Sequence, residues 1–397
     1  MKIINDPVYG FITLDQGLVA QVIAHPYFQR LRRIQQMALA HLIYPGAVHT
    51  RLHHALGAYH LMGNAIHELR LKGQTITPQE EEAAKCAILL HDVGHGPYSH
   101  ALEQVLLPKL HHEKISLLLM QRMNQHLNGQ LQTTISLFTN TYPKTFLHQL
   151  ISHQLDVDRM DYLTRDSFFT GVSEGVIGYD RIIKMLTVHD NQLAIEEKGI
   201  YSVEKFLISR RQMYWQVYLH KNVLAAEKML VKIIERAKQL YVTHAELKLQ
   251  GPLHYFFEER NLSDEELLHY FVQLDDTDIM AAIKQWQHST DKVLQKLCYG
   301  LLNRDLLKCK LQTTPFPDEW IQEKRLAIQT KYGVSAEESH YLLFTGEASN
   351  TTYALNNERI NICLKNGQVV DISEVDNPLI SQTLSTPIKK FYLCELV

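Results

Sequence analysis

One predicted helix of the chain ends in the stretch His91-Asp92-Val93-Gly94-His95-Gly96-Pro97-Tyr98-Ser99-His100. The helix begins after Thr77-Pro78-Gln79-Glu80, which has the residues of a capping box with proline at the first helical position. The glycines at 94 and 96 end it, so His91 and Asp92 lie in its last turn and can face one ion. Imidazole and carboxylate groups bind borderline or hard divalent metals. Because an ion needs more than two protein ligands, we expect further ligands from other helices.

The segment that begins near Thr50 offers one such ligand. Its apolar residues recur three and four apart up to about Leu71, which predicts a helix with one face committed to a core. Arg51 and His54 stand three apart near its start, so a guanidinium and an imidazole lie on one face about a turn apart. This pair combines a phosphate-binding group with a metal ligand.

A dense run of charge from Asp156 to Asp166 offers another ligand. Asp158, Tyr162 and Asp166 are spaced four apart and form one ridge of a predicted helix, with Arg159 beside them. A metal ligand followed by substrate-binding groups would have this pattern. A solvated helix face with salt bridges is the alternative interpretation of the run.

A second His-Asp pair, His189-Asp190, has a different context. With 22 histidines in the chain, such a dipeptide is expected about once by chance. This one lies between the strand-like residues 185–188 and 192–195, where Asp and Asn are ordinary turn residues. We therefore interpret it as part of a β-hairpin and not as a metal site.

The chain as a whole is predicted to be mostly α-helical. Helical periodicity dominates residues 16–311, with long helices expected over 18–37, 143–168, 203–238 and 279–302. After Pro315-Phe316-Pro317 the pattern changes to one helix, a hairpin around Lys365-Asn366-Gly367 and a final strand over 390–397. We predict a helical core over 1–311 with a short β-hairpin, and a small α+β appendage over 312–397.

Composition excludes several classes of protein. The 397 residues are 45% hydrophobic and carry 40 basic against 43 acidic groups, so the net charge of −3 gives no global attraction to nucleic acid or anionic membranes. No uncharged apolar run approaches the ~18 residues of a membrane span. Five scattered cysteines without a CxxC pair favour reduced thiols, and we expect a cytoplasmic protein that binds neither membrane nor nucleic acid.

Taken in order, these motifs resemble the HD-domain metal-dependent phosphohydrolases, whose signature is a histidine, an adjacent His-Asp and a distant aspartate. Those positions here are His54, His91, Asp92 and Asp158. Residues 5–10, 28–32, 44–47, 51–57, 91–100, 156–166 and 211–221 extend the resemblance to the deoxynucleoside triphosphate triphosphohydrolase branch. The resemblance covers about residues 1–311.

The resemblance implies an all-helical HD core that hydrolyses dNTPs at the α-phosphorus, giving deoxynucleoside and inorganic triphosphate. It implies one divalent transition metal (Fe, Mn, Zn or Ni) on the four ligands, and it leaves open a Mg²⁺ ion on the substrate phosphates. His95 matches a catalytic histidine, and His112 with Glu113 matches a second catalytic pair. The family usually assembles as dimers or tetramers.

The resemblance also assigns substrate contacts. The residues expected around the sugar are Gln36, Met37, Tyr162, Asp166 and Tyr218. The expected phosphate contacts are Arg51, Arg159, Arg211 and Lys221, and His100 is expected to line the same pocket. Independently of the resemblance, Arg211, Tyr214, Tyr218 and Lys221 form one polar stripe of a predicted helix. An ordinary solvent-facing stripe is the alternative.

Two other functions stay open. The same metal site could act on a nucleoside monophosphate, a cyclic nucleotide or a signalling nucleotide. The fold could also belong to a nucleotide-sensing protein with little turnover. Product analysis and alanine substitution of the His91-Asp92 pair distinguish these alternatives.

Overall fold

The computed structural model describes residues 2–108, 110–243, 247, 249, 251–258, 263–351, 353, 359–375 and 387–397. The molecule is mostly α-helical with small sheets, which confirms the predicted fold class. The helices are α1 Leu18–Ala24, α2 Pro26–Gln29, α3 Arg51–Leu71, α4 Pro78–Leu90, α5 His100–Leu106, α6 His112–His126, α7 Gln132–Phe138, α8 Thr145–Gln149, α9 Val157–Thr170, α10 Tyr179–Met185, α11 Ile200–Met213, α12 Lys221–Thr243, α13 Leu253–Phe257, α14 Asp264–Phe271, α15 Asp276–Trp286, α16 Lys292–Leu302, α17 Asp318–Tyr332 and α18 Ala336–Leu342.

The strands form three small sheets. They are β1 Lys2–Asp6, β2 Gly10–Leu14, β3 Leu186–His189, β4 Gln192–Glu196, β5 Lys308–Gln312, β6 Leu343–Asn350, β7 Asn361–Cys363, β8 Val369–Asp371 and β9 Ile388–Glu395. Their orders are β1-β2, β3-β4-β7-β8 and β5-β9-β6. Both predicted hairpins are present, and His189-Asp190 sits at the turn of the first.

Strand pairing joins the two predicted units of the chain. Strand β4 of the first hairpin pairs in parallel with β7 of the C-terminal part, and Ile195 stands opposite Ile362. Strand β5 crosses residue 311 and pairs with β9. A pattern within one segment cannot reveal such long-range pairing. The division at 311/312 stays a prediction.

Helix α3 is the central element of the site. Its Ala55, Leu61 and Ile66 are fully buried, and the helix packs against both α4 and α9. This packing brings the start of α3, the end of α4 and the start of α9 to one point. Among the described residues, no helix combines the length and the apolar character that crossing a bilayer requires.

Four long helices that the sequence predicts are shorter in the structure. The helix predicted over 18–37 ends at Ala24, because Pro26 keeps the preceding residue extended. The one over 143–168 divides into α8 and α9, since Asp156 caps α9 by accepting a hydrogen bond from Arg159 N–H at 2.7 Å. The one over 279–302 divides into α15 and α16, where Asp291 caps the second helix in the same way.

The helix predicted over 203–238 is interrupted by a π-helical segment, Tyr214–Tyr218, between α11 and α12. A π-turn inserts one extra residue into a helix, and each residue turns the helix by about 100°. Side chains on the two sides of the segment therefore do not continue one stripe.

Candidate active site

Four predicted ligands from three helices converge beneath a cleft. His54 Nε2 lies 3.1 Å from Asp158 Oδ1 and 3.8 Å from Asp92 Oδ2. His91 Nε2 lies 3.3 Å from Asp92 Oδ1 and 3.5 Å from Asp158 Oδ1. Ligand atoms of His54, His91 and Asp158 all lie within 4.8 Å of one another, and Asp92 adjoins both imidazoles.

The orientation of both imidazoles fits a metal ion. His54 Nδ1 donates to Asp161 Oδ2 at 2.8 Å, and His91 Nδ1 donates to the Ile88 carbonyl at 2.7 Å, because both partners can only accept. Each Nε2 is buried and has no hydrogen-bond partner, and the 3.1 Å approach to Asp158 lacks hydrogen-bond geometry. An imidazole held by its other nitrogen is the usual second-shell arrangement of a metal ligand. These residues could hold a divalent metal ion.

Mutual attraction sets the charge state of these ligands. Burial alone would lower the pKa of His54, but Asp158 and Asp161 outweigh it and raise that pKa to about 10. Burial alone would raise the pKa of Asp158, yet His54 and His91 hold it well below its usual range. Without a cation, the carboxylates therefore favour protonated imidazoles at these positions.

Ser116 of α6 fixes the turn that carries the His-Asp pair. Its hydroxyl donates to the His91 carbonyl at 2.8 Å and accepts from Gly94 N–H at 2.9 Å. A Cβ on Gly94 would overlap the His112 carbonyl and lie 2.7 Å from Ser116 Oγ. Gly94 therefore lets α6 approach the end of α4 closely enough to lock it.

A buried ion-pair network supports His54 from behind. Arg165 Nε donates to Asp161 Oδ2 at 3.0 Å, and Arg165 Nη1 donates to Asp6 Oδ2 at 2.9 Å. Asp6 also accepts from Val8 N–H at 2.9 Å and so holds the turn between β1 and β2. Sequence analysis named neither Asp161, Arg165 nor Asp6 as a site residue. The only available signal was that residues 5–10 and 156–166 belong to motifs of the resemblance.

The cleft above these ligands has a volume of about 440 Å³. Arg51 forms an ion pair with Asp92 at its floor, and Arg51 Nε donates to Ser99 Oγ at 2.8 Å. Arg159 lines the cleft and pairs with Asp156. The predicted site residues that line it are Gln36, Met37, Arg51, Asp92, His95, His100, His112, Asp158, Arg159, Tyr162, Asp166, Tyr214 and Tyr218.

Asp166 is held firmly where it lines the cleft. Its Oδ1 accepts from His49 Nε2 at 2.6 Å, and its Oδ2 accepts from Tyr218 Oη at 2.6 Å. Burial and the Asp166 carboxylate raise the pKa of Tyr218 well above its usual value, so the phenol remains a donor. Each carboxylate oxygen keeps capacity for one more hydrogen bond from a ligand.

Three histidines and a glutamate line or adjoin the cleft next to Asp92. His95 Nε2 lies 3.3 Å from Asp92 Oδ1, and the His95 ring stacks on His112 with centroids 3.9 Å apart. Glu103 accepts from His112 N–H at 3.0 Å and lies 3.2 Å from His112 Nδ1. Burial lowers the pKa of both His95 and His112. Sequence analysis missed Glu103, although its position three residues after His100 gives both side chains one helix face.

Five predicted residues do not line the cleft: His54 and His91, which lie beneath it, and Glu113, Arg211 and Lys221. Glu113 is exposed on α6, and the carboxylate beside His112 is that of Glu103. Arg211 and Lys221 lie outside the lining, whereas Arg210 belongs to it. The π-helical segment and the break in the helix at residues 219–220 separate Lys221 from the stripe predicted over 211–221, whereas Arg210 lies four residues before Tyr214 and shares its helix face.

Comparison with known proteins agrees with this fold and site. The HD domain family model matches residues 51–166, and the HD associated region matches residues 177–250. A crystal structure of a phosphohydrolase from Bacteroides thetaiotaomicron is 47% identical, with a TM-score of 0.95 and 100% coverage of both chains. The uncharacterized protein YwfO of Bacillus subtilis is 33% identical over 94% of this chain and 87% of its own length.

A further relative carries a more specific name. The deoxynucleoside triphosphate triphosphohydrolase SAMHD1 homolog of Dictyostelium discoideum is 30% identical over 67% of this chain. The match spans 54% of that relative's length. Fold and site together define a helical phosphohydrolase whose His/Asp cluster could hold a divalent metal. The chain belongs to the HD-domain phosphohydrolase family and is an enzyme of that family.

Proposed function

We propose that this enzyme hydrolyses deoxynucleoside triphosphates to deoxynucleoside and inorganic triphosphate. The observation that carries the proposal is one cleft with the His/Asp cluster at its floor and a fixed carboxylate, Asp166, in its wall. The name of the Dictyostelium relative supports the choice of substrate.

The metal ligands in this proposal are His54, His91, Asp92 and Asp158. When bound there, a divalent transition metal would neutralise phosphate charge and lower the pKa of a water molecule. The overall reaction consumes one water molecule: its oxygen bonds to the α-phosphorus, the bond from phosphorus to the 5′-oxygen breaks, one proton goes to the 5′-oxygen, and the other stays on the triphosphate or passes to solvent.

The chain's own residues supply binding and proton transfer. Arg51 and Arg159 reach the cleft as guanidinium groups and would pair with phosphate oxygens. His95 and His112 stand next to Asp92, and we assign them delivery of the proton to the 5′-oxygen. Glu103 orients His112 through Nδ1, which leaves His112 Nε2 for the substrate. This role replaces the one that sequence analysis gave to Glu113.

Sugar recognition is assigned to the wall around Asp166. Its oxygens are already held by His49 and Tyr218, so its carboxylate is positioned to accept a hydrogen bond from a 3′-hydroxyl. Gln36, Met37 and Tyr162 line the same cleft and would close around the sugar.

One observation favours a second candidate, hydrolysis of a nucleoside monophosphate by the same site. Arg211 and Lys221, which were expected to bind the phosphates, do not line the cleft. Arg51 and Arg159 are each paired with a carboxylate. A shorter phosphate chain needs fewer cationic partners than a triphosphate does.

The experiment that tests the proposal is product analysis. The purified protein, reconstituted with Mn²⁺ or Fe²⁺, is incubated with each dNTP, the corresponding rNTPs and dNMPs, and the products are separated by chromatography. We expect equal amounts of deoxynucleoside and inorganic triphosphate from dNTPs. Orthophosphate released from dNMPs, with dNTPs left intact, would refute the first candidate and establish the second.

A matched pair of variants controls this experiment. His91→Ala with Asp92→Ala removes the proposed site, whereas His189→Ala with Asp190→Ala removes an exposed His-Asp pair in a hairpin turn. We expect loss of turnover only in the first variant. Equal turnover in both would favour the nucleotide-sensing alternative.

The homo-oligomer and the cytoplasmic location stay predictions, and the five free cysteines are compatible with a reducing compartment.

A further inference from the structure

A second group of potential metal ligands lies beside the first. His95, His100, Glu103 and His112 each place one ligand atom within 4.8 Å of the others. The first group, His54, His91, Asp92 and Asp158, shares no residue with it. The two groups approach each other at His95, whose Nε2 lies 3.3 Å from Asp92 Oδ1.

We propose that these four residues, the His3Glu cluster, form a second cation site that takes Zn²⁺, and that Zn²⁺ bound there inhibits hydrolysis. The binding part of the proposal stands on geometry alone. The inhibitory part rests on the proposed function, because it needs His95 and His112 as proton donors.

The spacing of the ligand atoms suits a tetrahedral ion. With Zn–N and Zn–O bonds of about 2.0–2.1 Å, neighbouring ligand atoms lie roughly 3.3–3.4 Å apart. His100 Nδ1 lies 3.2 Å from Glu103 Oε2, and His112 Nδ1 lies 3.2 Å from the same oxygen. The His95 and His112 rings stack with centroids 3.9 Å apart, so one of them would have to turn before both could point a ring nitrogen at the same ion.

The fourth ligand is the most buried. His95 is 2% exposed, and its Nδ1 has no hydrogen-bond partner. A buried, unpartnered ring nitrogen is costly unless something occupies it, so this atom itself points to a ligand. His100, whose side chain is 69% exposed, provides the solvent-facing side through which an ion can enter.

The composition of the cluster favours Zn²⁺ over Mg²⁺. Three imidazoles and one carboxylate form a nitrogen-rich set, whereas Mg²⁺ prefers oxygen ligands and water in octahedral geometry. Zn²⁺ would replace the protons through which His100 and His112 now hold Glu103. An imidazole whose Nδ1 binds Zn²⁺ cannot become an imidazolium ion, and its remaining Nε2–H is a much weaker acid, so Zn²⁺ bound there would slow proton delivery to the 5′-oxygen.

Metal stoichiometry provides a test that does not depend on any substrate. The full chain is loaded with one equivalent of Mn²⁺, and Zn²⁺ is then added while native mass spectrometry counts the bound ions. Co²⁺ replaces Zn²⁺ in a parallel titration, because four-coordinate Co²⁺ has characteristic visible absorption. We expect two metal ions per wild-type chain and a four-coordinate spectrum for the second.

Two single variants identify the ligands. Glu103→Gln removes the anionic ligand but keeps an oxygen that can accept from His112 N–H, and His100→Ala removes a mostly exposed side chain. We expect each variant to lower the affinity for the second ion at least about 100-fold. Loss of even a residue that only orients a metal ligand lowers metal affinity about 10–100-fold. His189→Ala, an exposed histidine 3.3 Å from Asp190, is the control and should keep both ions.

The outcomes separate the two parts of the proposal. A single bound metal ion in the wild-type chain, or two ions retained by both Glu103→Gln and His100→Ala with native circular dichroism, overturns the site. For inhibition, the turnover of each protein is measured relative to its own Zn²⁺-free rate. We expect the Zn²⁺ concentration that halves turnover to be at least about tenfold higher in His100→Ala than in the wild-type chain. An unchanged concentration overturns the inhibitory part. A wild-type chain that binds two ions but cleaves no dNTP leaves the site established and refutes only the proposed substrate.

Discussion

Replacing Gly57 by alanine should weaken both the fold and metal binding, although alanine is the better helix former. Gly57 lies on α3 three residues after His54, where α3 meets α9. A Cβ there would overlap Asp161 Oδ1 and Arg165 Nη2 and lie 2.8 Å from Asp161 Cγ. Because Asp161 and Arg165 are buried and paired, neither can move aside without breaking the network behind His54.

The magnitude follows from two opposing terms. Alanine in a helix interior gains about 0.8–1 kcal/mol over glycine, whereas breaking a buried ion pair costs about 3–5 kcal/mol. We expect Gly57→Ala to lower the free energy of unfolding by about 2–4 kcal/mol in urea titrations of the metal-free protein. Because Asp161 orients His54, metal affinity should also fall about 10–100-fold.

Gly63→Ala on the same helix is the matched control. Its Cβ would meet only Lys85 Cε and Nζ, at 3.3 and 3.7 Å, and the end of that flexible side chain can move. We expect Gly63→Ala to leave the metal content unchanged and the free energy of unfolding equal or higher. The reasoning would be refuted if Gly57→Ala matched this control in both urea midpoint and metal content.

Three further predictions concern pH, sugar recognition and metal removal. Burial alone would raise the pKa of Glu80, but Lys144, Thr77 and Tyr142 lower it from 4.5 to about 2. The folded-state pKa is thus depressed, so this carboxylate contributes stability that is fully present above about pH 4.5 and is lost as the pH falls to about 2. Glu80→Gln should remove up to about 3 kcal/mol of that pH-dependent stability, measured from thermal melts at several pH values. The same dependence of stability on pH in the variant and the wild-type chain would contradict a depressed pKa for Glu80. Asp166→Asn should lower kcat/KM for dNTPs about 10- to 100-fold but change kcat/KM for 2′,3′-dideoxy substrates little. An equal loss of kcat/KM for both kinds of substrate would argue against contact between Asp166 and the 3′-hydroxyl. Removing the metal with a chelator should lower Tm, because a metal present at 100 times its Kd stabilises the folded state by about 2.7 kcal/mol. Adding the metal back should restore the original Tm. An unchanged Tm would argue against metal binding at the His/Asp cluster.

Local signals in the sequence were enough to predict much of the framework. The capping box at Thr77 and the glycine at 94 define α4 and therefore the position of His91 and Asp92. The periodicity of residues 50–71 predicts α3 almost to the residue. These features depend on neighbours a few positions apart, which is why a single sequence reveals them.

Features that depend on distant residues could not be predicted in the same way. Arg165 pairs with Asp6, 159 positions away, and β4 pairs with β7 across more than 160 residues. The π-helical segment has no propensity signal of its own, yet together with the break at residues 219–220 it separates Lys221 from the stripe predicted over 211–221. The positions of side chains at the rim of the cleft were therefore less predictable than the positions of those at its floor.

Arg51 shows how the site's charges depend on one another. Its guanidinium pairs with Asp92, a proposed metal ligand, and also contacts Ser99 in the wall of the cleft. While Arg51 is paired with Asp92 and no cation shares that carboxylate, we expect the guanidinium to have little attraction left for phosphate. We expect that a cation sharing the Asp92 carboxylate would make the same guanidinium available to an anionic substrate. The spacing of Arg51, three residues before His54 on one helix, would thus couple phosphate binding to metal binding at the Asp92 carboxylate.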